Sequence, residues 1–203
     1  SLSEDIRYIN CPNKMLQKAL EFTRDVLDQF LRRKFALTDK VVVINNVISP
    51  NGDIPQENQN KLVISLLNIE QETNKQFYGR NQRNQSGDFS DVNPEQRYNL
   101  DVLFSSNFQD YSETLKILNA TLSFFQSYNT IDRGVFSNLP EGMNRLDFDI
   151  EQISYHQMHS LWSAMGAKYQ PSIIYKLRLI SVQSDQTIRV LPEIVSATNN
   201  VQP

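Results

Sequence analysis

From residue 14 to residue 35, Met15, Leu16, Ala19, Leu20, Thr23, Val26, Leu27, Phe30 and Leu31 recur at three- and four-residue spacing. That period predicts one amphipathic helix. Arg32, Arg33 and Lys34 fall in its last turn, where cations complement the negative end of the helix dipole, and Asn13 is placed to cap its start. Residues 41–48 are β-branched and apolar on both faces as far as Asn45-Asn46, which predicts a covered strand. Residues 62–69 and 98–104 are two further apolar strands. Residues 145–151 alternate strictly, with Leu146, Phe148 and Ile150 against Asp147, Asp149 and Glu151. This is the pattern of a strand with one solvated face. A last strand, 173–182, sets Tyr175, Leu177 and Leu179 opposite Lys176 and Arg178. If it lies beside 145–151, the basic pair answers the acidic row and helps set the register.

Two short signals start the other helices. Asp110 with Glu113 has capping-box spacing and opens a helix to about residue 126; Ser154 with Gln157 repeats it before Leu161 and Trp162. Gly166 stands where a left-handed helix terminator is expected, and Pro171 forbids continuation. Residues 49–61, with Pro50, Asn51-Gly52 and Pro55, read as a loop. Residues 70–96 hold too few apolar side chains to supply core, and are expected to be a long loop or a segment ordered by a partner. The order of elements predicts one α/β (α+β) layer domain, a mixed sheet of about five strands with three main helices packed on it. Residues 1–13 read as a leader, 14–182 as the domain, and 183–203 as a flexible extension with an apolar patch at 188–191.

Composition narrows the function classes. The chain has 203 residues, a single cysteine and a net charge of −3. One thiol, Cys11, excludes an intramolecular disulfide or a cysteine-based zinc cage. No apolar run approaches the ~18 residues of a spanning helix, and no secretion signal opens the sequence. The expectation is a globular cytoplasmic protein with no membrane contact. The slightly acidic balance argues against nucleic-acid binding, although Lys75, Arg80 and Arg83 interleave with Phe77 and Tyr78.

Chemistry-bearing groups are sparse. His156 and His159 share one helix face and, with Asp149 or Asp147 of the preceding strand as third ligand, would make a metal site for a small hydrolase. No HExxH-type spacing supports it. Ser65, Ser123 and Ser163 lack a nucleophile-elbow setting, and six glycines form no phosphate cradle. These residues predict neither an enzyme nor a cofactor. A small-molecule module in a sheet-side pocket is a third class, for which no residue speaks.

Residues 161–176 carry the most distinctive stretch: Leu161-Trp162-Ser163-Ala164-Met165-Gly166, then Pro171-Ser172 and Tyr175-Lys176. It resembles the "LWSALG…PSxxYK" stretch of a family that supplies the N-terminal domain of tail-cap, or tail-terminator, proteins of contractile injection systems of the antifeeding-prophage and virulence-cassette type. Further similarity falls in order at residues 64–72, at 99–104 with Asp110-Tyr111, and at Phe124-Phe125-Gln126, so that it spans about residues 15–182. Asp101 departs from the family pattern, where an aromatic or small polar residue is expected.

The resemblance implies a tail-terminator-like fold and a structural role in a phage-tail-like particle. It also implies sheath and tube proteins as partners and a hexameric ring on assembly. Within it Leu161, Trp162, Gly166, Pro171 and Tyr175 read as fold-determining. The Asn- and Gln-rich stretches 51–60 and 71–96 and the tail mark the places for contacts, with Arg80, Arg83, Ile188, Val190 and Leu191 as candidate partner-contact residues.

Overall fold

An apolar helix stripe needs a surface to cover, and the strands that alternate apolar and polar residues supply it. In the computed structural model the described residues are 13–71, 81–83, 89–91, 97–181 and 189–191. Cys11, Arg80 and Ile188 therefore lie outside them, as do Lys75, Phe77 and Tyr78. In chain order the elements are α1 (Asn13–Phe35), β1 (Val42–Ile44), β2 (Lys61–Gln71), β3 (Asn81–Arg83), β4 (Phe89–Asp91) and β5 (Arg97–Asn107). There follow α2 (Tyr111–Ser127), β6 (Thr130–Asp132), β7 (Met143–Ile150), α3 (Tyr155–Ala164), β8 (Ser172–Ser181) and β9 (Arg189–Leu191).

The main sheet has six strands in the order β1-β2-β5-β8-β7-β6. Only β1 pairs in parallel, against β2, so the sheet is mixed. The extra strand relative to expectation is β6, three residues too short to show an alternation. It pairs Ile131 with Leu146 and buries Ile131 fully.

Alternation along the strands sorts side chains between two faces. On one face Ile64, Val102, Phe104, Leu146 and Leu177 meet α1 and α2 in the larger core. Phe125 of α2 anchors it, with ring centroids 4.5 Å from Tyr175, 4.6 Å from Phe148 and 5.2 Å from Phe104. Tilted and edge-on arrangements of this kind add to the area each ring removes from water. On the opposite face Leu103 and Ile174 form a smaller core with Val47 and Trp162, which α3 covers. A register shift in β2 between Leu66 and Asn68 accompanies the packing of Leu67 against this second core.

Three expectations change in detail. The strand foreseen over 41–48 shrinks to three residues, because the side chain of Asn45 turns to Asn58 (3.0 Å) and the chain then enters the loop. Ile150, expected inside with Leu146 and Phe148, is half exposed at the strand end. Asp110 caps α2 by accepting from the Ser112 amide at 2.8 Å, while Glu113 turns to Lys116 at 2.7 Å, so the cap is an aspartate cap in place of a capping box. At α3 the full capping box forms between Ser154 and Gln157.

One residue ties the helix layer to the sheet. Asp28 of α1 is buried, and its Oδ1 accepts from the amides of Val41 (2.7 Å) and Val42 (3.0 Å). It satisfies two buried backbone donors at the start of β1, and Arg32 stands 3.8 Å from its other oxygen.

Candidate functional site

The stretch 161–175 is a helix-to-strand corner built residue by residue. Trp162 is buried against Leu103 and Ile174, and its indole N–H donates to the Met158 sulfur at 3.1 Å. Gly166 adopts φ of +67°, a conformation that costs other residues strain. The Gly166 amide reaches the Ser163 carbonyl (3.0 Å) and the Ala167 amide the Trp162 carbonyl (3.1 Å), the two bonds of a Schellman ending. Ala167 packs in the same small core as Trp162, which is the apolar contact that accompanies such an ending. Leu161 is half-buried beside it, and Pro171 precedes β8, its carbonyl accepting from the Ser106 amide. Tyr175 is buried on the other face of the sheet, and burial pushes its phenol pKa above the ordinary tyrosine range. Leu161, Trp162, Gly166 and Pro171 lie at the corner itself, whereas Tyr175 packs with Phe104 and Phe125 in the larger core on the opposite face.

Beyond the area covered by α3, the second face of the sheet is a charged ladder. β7 and β8 are neighbours, with Asp147 opposite Arg178 and Asp149 opposite Lys176. Arg178 reaches diagonally to Asp149 at 3.0 Å, whereas Lys176 turns away from β7 to Asp101, its direct opposite on β5 (3.8 Å), and to Glu70 beyond it (3.6 Å). Asp147 is held by Arg145 and Thr130, both at 2.7 Å, and its carboxylate raises the pKa of the Arg145 guanidinium. The unexpected Asp101 thus meets the Lys176 ammonium and the Asn68 amide (3.3 Å).

The groups weighed for metal chemistry are not assembled. His156 and His159 are both exposed on α3, and Asp149 is committed to Arg178. Among the described residues no three His, Cys, Asp or Glu side chains are grouped to hold a metal ion. No helix among them is long and apolar enough to cross a membrane.

The two polar segments singled out as contact regions meet each other. β3 and β4, from the 70–96 segment, and β9, from the tail, form a separate three-stranded antiparallel sheet in the order β3-β4-β9. Phe89 of β4 stands between Arg83 and Leu191, and Ser90 between Gln82 and Val190. Three of the five candidate contact residues, Arg83, Val190 and Leu191, therefore belong to one small sheet. Periodicity had no means of finding this pairing, since backbone hydrogen bonds carry it and each strand is three residues long.

A groove on the helix layer had no sequence signal at all. It is a depression of about 340 Å³ floored by Val26, Phe30, Phe124, Tyr128 and Phe136, with Arg33 and Lys34 at its rim. A second depression, lined by Gln29, Arg32, Arg33 and Leu37, adjoins it. The residues come together only when α1, α2 and the segment after β6 pack.

With this geometry in place, comparison with known proteins is informative. The family model described as the Pvc16 N-terminal domain matches residues 22–195. Among solved structures, the chain is similar to the anti-feeding prophage cap, described as the tube-terminating cap. The TM-score is 0.53, the identity 12%, and the match covers 89% of this chain and 61% of that one. It is similar also to the sheath/tube terminator, in the extended state, of the extracellular contractile injection system named PVC. There the TM-score is 0.53 and the identity 13%, with 89% and 62% covered. The chain spans about three fifths of the length of these structures. At such identities the likeness is one of fold. No curated protein matches the chain.

Proposed function

The chain belongs to the Pvc16 N-terminal domain family, and from that premise we propose that it is a structural assembly protein that closes the end of the tube or sheath of a contractile injection apparatus. The observation that carries this reading is the shared fold over 89% of the chain with two terminating caps. The chemistry agrees with it. The distinctive corner residues are spent on packing and on ending a helix, and the charged ladder is spent on ion pairs between strands. The protein acts by contact and performs no catalysis.

In this reading the chain works in the cytoplasm as part of a phage-tail-like particle, and six copies form a ring on the last ring of the tail. Head-to-tail contacts close such a ring. The small sheet is the proposed contact region toward tube and sheath. β3 and β9 are its outer strands, and an outer strand can take a further strand from a neighbour. Arg80, Arg83, Ile188, Val190 and Leu191 are the proposed contact residues, and residues 14–182 the proposed folded unit with a leader before it and an extension after it.

Co-sedimentation with assembled tube and sheath tests the proposal. The chain is expected to pellet with the polymers, and deletion of residues 183–203 to reduce the bound fraction. A chain that stays in the supernatant with intact tube and sheath contradicts the cap reading. Unchanged binding of the shortened chain removes the tail from the contact region.

A further inference from the structure

The groove on the helix layer joins an apolar floor to two cations that have no carboxylate partner among the described residues. Phe30 and Phe124 lie 5.2 Å apart, Phe124 and Tyr128 5.2 Å, and Tyr128 and Phe136 5.7 Å, so the floor is a continuous aromatic row. Arg33 and Lys34 are exposed at its rim, and among the described residues neither forms an ion pair with a carboxylate. Arg32 is differently placed: it donates to the Thr38 carbonyl at 2.8 Å and faces Asp28, so it belongs to the helix end. Lys34 lies 5.5 Å from the centre of the Phe30 ring. In a chain of net charge −3, an aromatic floor beneath two cations that lack a carboxylate partner among the described residues fits a segment carrying an apolar anchor between carboxylates.

The chain itself displays such a segment. In the loop between β1 and β2, Asp53-Ile54-Pro55-Gln56-Glu57 sets an aliphatic side chain, 44% exposed, between two exposed carboxylates. The segment is held in shape. The Ser49 amide donates to the Asp53 carbonyl at 2.9 Å, and the Asn58 amide to that of Pro55 at 2.9 Å. Asn58 is buried, and its side chain bonds the Asn46 carbonyl (2.8 Å) and the Asn45 amide group (3.0 Å). An apolar side chain held outward on a hydrogen-bonded loop loses little freedom when it is covered.

The two surfaces adjoin opposite edges of the main sheet. The loop leaves β1, one edge strand of the main sheet, while Tyr128 and Phe136 of the groove flank β6, the other edge strand. A patch and its complement on different parts of one molecule make a heterologous contact, the kind that propagates around a ring.

We propose that the groove bordered by Arg33 and Lys34 receives the Asp53–Glu57 loop of a second copy of this chain, with Ile54 on the aromatic floor and Asp53 and Glu57 against the two cations. This rests on the reading of the chain as a ring-forming cap, and it names the contact between neighbouring copies.

Photo-crosslinking of the full chain, free at high concentration and bound to tube ends, tests it. With benzoyl-phenylalanine at position 54, irradiation is expected to give dimers whose adducts map to α1 between Val26 and Lys34 or to Phe136. Arg33→Glu with Lys34→Glu in the groove copy should lower the yield about tenfold. Pairing that variant with a probe copy carrying Asp53→Lys and Glu57→Lys should restore it. Circular dichroism of each variant checks that the helices persist. Adducts mapping elsewhere, a yield indifferent to both charge reversals, or no dimer at all overturns the proposal. Co-sedimentation of the same preparations keeps the two readings apart: a chain that binds tube ends without this crosslink refutes the contact alone, and one that crosslinks without binding refutes the cap reading alone.

Discussion

Asp28 shows how much a single carboxylate can organise. The strand it serves is three residues long, at the edge of the sheet, and paired only with β2. The amides of Val41 and Val42 would be buried without acceptors if Asp28 were shortened, and each lost partner costs about 1–3 kcal/mol. Asp28→Ala is therefore expected to destabilise the fold by about 2–4 kcal/mol in urea unfolding. Asp28→Asn, which keeps one acceptor oxygen, should lose roughly half as much. An Asp28→Ala variant as stable as the natural chain would show that the tie is not made. Nothing in the sequence marks this residue. It stands between Leu27 and Phe30 like any polar member of an amphipathic helix, and its partners lie across a turn. Asp101 presents the reverse case, a residue that the sequence marks as unexpected and whose partners appear only in the structure. Lys176 faces it from the next strand and Asn68 from the other side.

At the scale of elements, legibility follows length and period. α1 was readable from its stripe, although Asn13, expected as its cap, is its first helical residue. α3 was readable because stripe and caps agree, and Ser154, Gln157 and Gly166 all take the conformations their residue types favour. The long strands β2, β5 and β8 were readable from their apolar runs and β7 from its strict alternation. β3, β4, β6 and β9 were not, since three residues hold too little alternation, and their pairing comes from neighbours already in place. The opposite charges on β7 and β8 do mark adjacent strands, but between those two strands Arg178 pairs diagonally with Asp149, while Lys176 pairs with its direct opposite on β5, Asp101, and with Glu70. Long side chains reach diagonal partners as readily as direct ones. The corner from α3 to β8 concentrates its packing in one ring. Trp162→Ala should cost about 3–5 kcal/mol, because the ring is the centre of a small core with few neighbours able to close over the gap. A thermal melt tests this, and an unchanged transition would mean that α3 does not depend on the ring.

For the whole molecule, the main sheet divides its labour between two faces. One is filled by α1, α2 and an aromatic cluster. The other is part small core under α3 and part ion-paired ladder, which uses its charges internally. What remains for recognition lies at the periphery, in the small sheet that joins the 70–96 segment to the tail, in the groove of the helix layer and in the loop between β1 and β2. On the proposed reading the protein works by contact, which needs no clustered reactive groups, and the bland composition of this chain is consistent with that demand. The central claim is one of position, and gold labelling in electron micrographs of purified particles tests it directly. With a tag on this chain, the account predicts label at one end of the tube or sheath only. Label distributed along the tail, or absent from intact particles that contain tube and sheath, would contradict it.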